Sequence, residues 1–399
     1  MLGPGDLVDA ARRYGTPLYV YDYDLVEERL KLAYRLLSRH KGESAAAFSP
    51  AAAPIADLLG FLAEREAWFR ASTGGELGLL ERSGARPGKV FFEGPGKAEW
   101  EIRLAVSRRV YAVHVDTLSE LADVAREAAS QGVVQRVGVE VNTGAAYRGR
   151  PGGFNTRLWK RGVEPQPLLD AAGGVPELGS LELIGLSAPL APAPDPAPYV
   201  SAAAVLLDVA AKLEVEGVRV EYLDLGPLPG RPEDAARVVN AVIDVVGETA
   251  PDMGLVVDPS LLVVGDAAAI VARVVGVKRL HGRRWALLDA SVTDYPAILF
   301  TRGRLEAACL TCGGRPERLY NLAGPLPESF DVMGSYSLPE LREGDLVALW
   351  GVGAYGWGMS GNYRFRPRPP VVRFHMGSER VVVVRETVED MLSRQLIHG

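Results

Sequence analysis

SAAAFSPAAAPIADLLGFLAER, residues 44–65, is the stretch from which the rest of the chain can be read. Ala45–Phe48 is a short run of small apolar residues, long enough for one buried strand. Ser49-Pro50 stops it, because proline cannot extend a ladder and biases its predecessor away from helix. From Pro54 onward Ile55, Leu58, Leu59 and Leu62 recur at three- and four-residue steps, the period of an amphipathic helix with proline in its first turn. A buried strand feeding a helix is a βα unit, and in a barrel of such units chemistry sits where strands end and loops begin. Ser49 stands at such an end, and it is not a reactive residue there.

The same rhythm runs along most of the chain. Apolar strands are expected to end near Ser49, Ser72, Glu93, Asp116, Asn142, Ser187, Gly226 and Asp258, with helices between them. Thr117-Leu118-Ser119-Glu120 reads as a capping box opening one of these helices. Eight or so strand–helix alternations mean a parallel sheet closed as an α/β barrel. After about residue 265 the rhythm breaks. Ala269–Val277, Trp285–Asp289, Ala297–Phe300 and Leu346–Trp350 read as strands separated by turn residues, which predicts an antiparallel β domain. The expected division is an N-terminal strand within residues 1–25 that joins the β domain, a barrel over 26–265, and the C-terminal β domain over 266–399. Ala188–Pro198, APLAPAPDPAP, is expected to be a polyproline-like loop at one strand end.

Composition narrows the function classes. The 399 residues are 48% apolar with a net charge of −6. No basic cluster points to nucleic acid or an anionic membrane. No signal-length apolar core opens the chain, and its most apolar later stretch, Gly254–Val277, is interrupted by Asp258, Pro259, Asp266 and Arg273. A soluble, cytoplasmic protein is the expectation. Cys309 and Cys312 form a Cys-x-x-Cys that reads as a redox pair, half a metal site, ordinary thiols or an incidental bridge, and no metal is expected.

The motifs then add up. Tyr14-Gly15-Thr16-Pro17-Leu18-Tyr19-Val20-Tyr21-Asp22, Ser72-Thr73-Gly74-Gly75-Glu76-Leu77, Asp116-Thr117 with Glu120-Leu121, and Leu223-Asp224-Leu225-Gly226 occur in that order. Gly324-Pro325-Leu326, Glu328-Ser329, Gly353-Ala354-Tyr355-Gly356, Ser360, Asn362-Tyr363 and Arg366-Pro367-Arg368-Pro369 follow. With them the chain resembles the barrel-type (fold type III) pyridoxal-phosphate decarboxylases of the diaminopimelate, ornithine and arginine group, diaminopimelate decarboxylase most closely. The resemblance implies a (β/α)8 barrel with a C-terminal β domain, the architecture of alanine racemase, and a dimer whose sites draw on both subunits.

The resemblance also marks departures at the catalytic positions. Where the family ends its first barrel strand in Tyr-Ala-x-Lys-Ala-Asn, this chain has Ala46-Ala47-Phe48-Ser49-Pro50-Ala51, with Ser49 at the lysine position. Pro189 stands at the position of the ring-stacking histidine and Pro327 at that of the catalytic cysteine. The glycine-rich phosphate loop reads Gly226-Pro227-Leu228-Pro229, and the Glu-Pro-Gly-Arg turn reads Asp258-Pro259-Ser260-Leu261. A serine hydroxyl forms no imine. The expectation is therefore a non-catalytic, regulatory or scaffolding homologue with no cofactor, whose barrel mouth has become apolar and proline-lined. It would pair with itself as a homodimer or with an active relative as a heterodimer. One alternative is an active pyridoxal-phosphate-dependent carboxy-lyase using a displaced lysine, Lys97 or Lys160; another is a small-molecule binding module. Tyr355, Glu328, Asp258, Lys97 and Lys160 are the ligand-binding candidates, and Arg148, Arg150, Gly152 and Gly153 form a possible anion loop.

Overall fold

The computed structural model describes residues 2–144, 160–174, 179–299 and 305–396. The candidate anion loop at Arg148–Gly153 lies outside them. By contacts the chain divides into two compact units, one of 30–51 and 56–262, the other of 1–29, 52–55 and 263–399.

In the second of these units the first strand, β1 (Leu18–Asp22), follows a helix at Pro4–Tyr14 that the sequence reading did not anticipate. It is a single amphipathic stretch opened by proline, and it buries Leu7, Ala10 and Ala11 against Leu18, Val20 and Val271.

The other unit is the barrel. Its strands are β2 (Ser44–Phe48), β3 (Trp68–Ala71), β4 (Val90–Phe92), β5 (Ala112–Val115), β6 (Gln135–Glu140), β7 (Leu181–Ser187), β8 (Tyr222–Pro227) and β9 (Gly254–Asp258). They pair in sequence order, all parallel, and β9 closes on β2 with Ser44 opposite Leu255. Each strand end lies within about two residues of the place the apolar runs predicted. Two strand-to-helix turns use one device. Thr73 and Thr117 each accept the N–H of the glutamate three residues on, and those glutamates, Glu76 and Glu120, take the N–H of Ser72 and Asp116 in return.

The remaining strands are β10 (Ala268–Leu280), β11 (Arg283–Leu288), β12 (Glu306–Cys309), β13 (Glu317–Ala323), β14 (Val332–Pro339), β15 (Leu346–Trp350), β16 (Val371–His375) and β17 (Ser378–Val383). With β1 they form one nine-stranded sheet. The expected β domain is present, but its sheet is mixed, since β1 runs parallel to β16 and β11 parallel to β13. The strand expected at Ala297–Phe300 is instead a 3-10 turn over Pro296–Leu299, opened by a proline that lacks the ladder donor. Cys309 and Cys312 are joined as a disulfide.

Inside the barrel the two-residue alternation of each strand builds layers. Near the strand starts Ala45, Ala47, Phe91, Ala112, Tyr222 and Val256 form one apolar cluster, with Trp68 and Tyr111 against it. Tyr222 needs bare backbone around it. A Cβ on Gly185 would stand 2.1 Å from its ring and 2.4 Å from its hydroxyl. Gly185→Ala should therefore destabilise the protein by about 1–3 kcal/mol or more in chemical denaturation, and pairing it with Tyr222→Ala should recover part of that loss.

Candidate functional site at the strand ends

One alternation step beyond the apolar layer, five positions become polar. Trp68 gives way to Arg70, Phe91 to Glu93, Ala112 to His114, Tyr222 to Asp224, and Val256 to Asp258; all five successors are buried. The mouth-side interior is thus ionic, not the apolar, proline-lined surface the loop sequences suggested. Prolines mark where the strands stop. The side chains aimed into the barrel are set by strand parity, two residues on from the core positions.

Arg70 is the centre. Its guanidinium donates to Glu93 Oε2 from Nη2 at 2.6 Å and Nε at 3.2 Å, and to Asp224 Oδ2 at 2.6 Å. Burial opposes its charge, but Asp224 and Glu93 outweigh burial and hold it above its ordinary range. Asp224, wholly buried, is pushed up to about 6 by desolvation that Arg70 offsets only in part. Glu93 is desolvated too, yet Arg70 and Arg161 keep it below the usual carboxylate range. Burial drives His114 down to about 3, so it is neutral, with Nε2 2.7 Å from the Tyr222 hydroxyl. Oxygens of Glu93 and Asp224 and a nitrogen of His114 lie within 4.8 Å of one another, a donor set suited to a metal, but the cation bonded to both carboxylates is Arg70.

A second pair adjoins the first. Arg161 Nη2 bonds Glu140 Oε2 at 2.5 Å, and burial nonetheless pushes Glu140 up to about 7. The neighbouring Gly162 N–H donates to Asp116 at 2.8 Å.

The residues singled out from sequence scatter. Ser49 follows β2, and its N–H donates to Ser260 Oγ at 2.8 Å. Asp258 is buried and accepts from the Ser260 N–H and hydroxyl. Lys97 is buried, its ammonium held by Gly94 O at 2.6 Å and Glu120 at 3.2 Å. Lys160 is exposed, and Pro189 is half-buried beyond β7. In the other unit Pro327 is exposed, Glu328 accepts from Arg364 and Tyr363, and the Tyr355 N–H donates to Ala52 O at 2.7 Å. Arg70, His114, Glu140 and Arg161 were missed. The available signal was a lone arginine at an inward position of an otherwise apolar strand, Trp68-Phe69-Arg70-Ala71.

Residues 25–259 match the family model described as the pyridoxal binding domain of pyridoxal-dependent decarboxylases. The chain is 28% identical to a diaminopimelate decarboxylase of Methanothermobacter thermautotrophicus, over 99% of this chain and 95% of the relative, and 28% identical to that of Bacillus subtilis, over 99% and 94%. In fold it is similar to the diaminopimelate decarboxylase of M. jannaschii crystallised with L-lysine (TM-score 0.90, 22% identity, 98% of this chain and 95% of that one). A lysine decarboxylase from Selenomonas ruminantium aligns with a TM-score of 0.79 at 22% identity, over 94% and 96%.

These matches correct the expectation that no cofactor belongs to this chain, because the matching model is that of a pyridoxal-binding domain. The fit of particular residues is a separate matter. At the end of β8 and just beyond it the Gly226 N–H is bonded to Asp224 and the Leu228 N–H to Asp258 O, while Pro227 and Pro229 have no N–H to offer a phosphate. Ser49, just after β2, carries a hydroxyl, which forms no imine. These positions therefore offer neither an imine nor a free backbone N–H cradle to the group.

Two outcomes test the ionic layer. Arg70→Met should leave Glu93 and Asp224 without their cation and cost about 3–5 kcal/mol in denaturant unfolding. Because Glu140 titrates higher folded than unfolded, its contribution is complete below the ordinary carboxylate range and is lost as pH rises through about 7. His114, titrating lower when folded, acts in the opposite sense below about pH 6.5. The readout is therefore a difference. From pH 5 to 8 the wild type should lose stability relative to Glu140→Gln, by at most about 3 kcal/mol, measured by thermal unfolding at each pH.

Proposed function

The chain belongs to the pyridoxal-dependent decarboxylases, and from that premise we propose that it is a diaminopimelate decarboxylase-like member that does not itself decarboxylate amino acids and serves a regulatory or scaffolding role. One observation carries this reading: the barrel interior at the strand ends is occupied by the buried ion pairs of Arg70 with Glu93 and Asp224. A Schiff-base decarboxylase needs a neutral amine free to reach the cofactor aldehyde. Lys97, the buried lysine among the candidates, is spent on Glu120 and a carbonyl oxygen. Freeing it would leave the Glu120 carboxylate buried without its cation, a cost of several kcal/mol. Whether pyridoxal phosphate binds non-covalently is independent of this reading.

The test separates binding from chemistry. Purified protein saturated with pyridoxal phosphate should release no carbon dioxide from diaminopimelate, lysine, ornithine or arginine. Borohydride reduction followed by peptide mapping should label no unique lysine. Turnover of any of the four, with stoichiometric label on Lys97 or Lys160, would establish the displaced-lysine enzyme in place of this reading.

A further inference from the structure

At the opposite end of the barrel, where strands begin, the interior is hollow. A cavity of about 290 Å³ opens there. At about 30 Å³ per water it has room for roughly ten waters, the bulk of one aromatic ring with a short arm. Barrel interiors of this kind are ordinarily filled by bulky branched side chains. Here one wall is aromatic and the other is bare. Trp68, Phe91, Tyr111 and Tyr222 form the first, with Trp68 stacked on Phe91 at 5.5 Å and edge-on to Tyr111 at 4.8 Å. Ser44, Ala45 and Gly254 form the second and leave the rings uncovered on that side.

Two glutamates stand at the rim. Gly254 N–H donates to Glu221 O at 2.8 Å and Leu255 N–H to Glu43 O at 3.1 Å, so the two glutamates flank the start of β9 from either side. Both line the cavity, and no lysine or arginine lines it. Arg136 stands outside it, its guanidinium 5.0 Å from the Tyr111 ring centre, and pairs with Glu221 at 3.0 Å and Glu182 at 3.4 Å. No ion pair involves Glu43 among the described residues. The protein's own arginine thus shows what this corner attracts, a cation held between an aromatic face and a carboxylate.

We propose that this cavity is a binding site for a small organic ammonium ion with an aromatic or flat apolar body, the body lying on Trp68 and Phe91 and the ammonium at Glu43. Hydrocarbon and ring surface would be taken out of water by the aromatic wall, and the positive charge would meet the carboxylate that has no cation of its own. A carboxylic acid of the same shape would be repelled, and a neutral alcohol would gain only the ring contact. The site lies at the strand starts, away from the ionic layer, and does not depend on whether the protein decarboxylates anything.

Isothermal titration of the protein tests this with three probes that share a phenethyl body: phenethylammonium, 2-phenylethanol and 3-phenylpropanoate. Phenethylammonium should bind with Kd below about 1 mM, at least tenfold tighter than the alcohol, and the acid should give no saturable heat. Glu43→Gln, an exposed substitution that leaves the fold intact, should weaken the ammonium at least fivefold and leave the alcohol unchanged. Trp68→Leu should weaken both probes, provided its circular dichroism matches that of the wild type. Equal affinity for ammonium and alcohol, absence of binding up to 10 mM, or an affinity unmoved by Glu43→Gln would each overturn the assignment.

Discussion

A guanidinium sealed inside a barrel is tolerable only if its carboxylates are sealed in with it. Arg70 is 6% exposed, Glu93 11% and Asp224 fully buried at the side-chain level. Removing such ions from water costs several kcal/mol each, offset only when the charges meet at hydrogen-bond distance and the remaining polar atoms are satisfied. The three residues come from β3, the end of β4, and β8, so the ion pairs tie together strands far apart in the chain. Negative charge is nonetheless in surplus there. Asp224 titrates high chiefly because burial desolvates it, with Glu93 and Asp258 adding to the shift that Arg70 opposes, while Glu93, with two arginines in reach, titrates low.

That arrangement follows from parity on the strands. The alternation that turns Phe91, Tyr222 and Val256 inward near the strand starts must turn Glu93, Asp224 and Asp258 inward near the ends. Tyr222 joins the two layers. Its ring packs among Phe91 and Tyr111 below, and its hydroxyl meets the neutral imidazole of His114 above. Gly138 and Gly185 make the room for this, since a Cβ at either would collide with His114 or Tyr222. The upper layer is therefore filled by charge, while the lower keeps a void beside the small residues of β2 and β9.

The barrel was legible in the sequence because strand ends, helix periods and caps are written in neighbouring residues. Ala45–Phe48 before Ser49-Pro50, and Thr117 with Glu120, announce their structure locally. The ionic layer was not legible, because Arg70 acquires meaning only beside Asp224, 154 residues away, and that meeting depends on barrel closure. Loop composition pointed the wrong way, since Pro189 and Pro227 lie at or beyond the strand ends and say nothing of which side chains face inward. Lys97 was read as able to reach the mouth without need of a catalytic role, and its partner Glu120 was seen only as a capping residue. The same carboxylate does both, accepting the Asp116 N–H and the Lys97 ammonium.

The turns and the interior of this barrel are stabilised in different ways. The turns after β3 and β5 are held by Thr73 with Glu76 and Thr117 with Glu120, groups that complete themselves within five residues. Their capping bonds are local, although Glu120 also takes the Lys97 ammonium at 3.2 Å. The interior obeys a non-local rule, that each buried charge requires an opposite charge from another strand. A cation on β3 is admissible because β4 and β8 supply carboxylates, and Arg161 because β6 supplies Glu140. Changes to this barrel's interior are therefore coupled across strands while its turns vary one at a time.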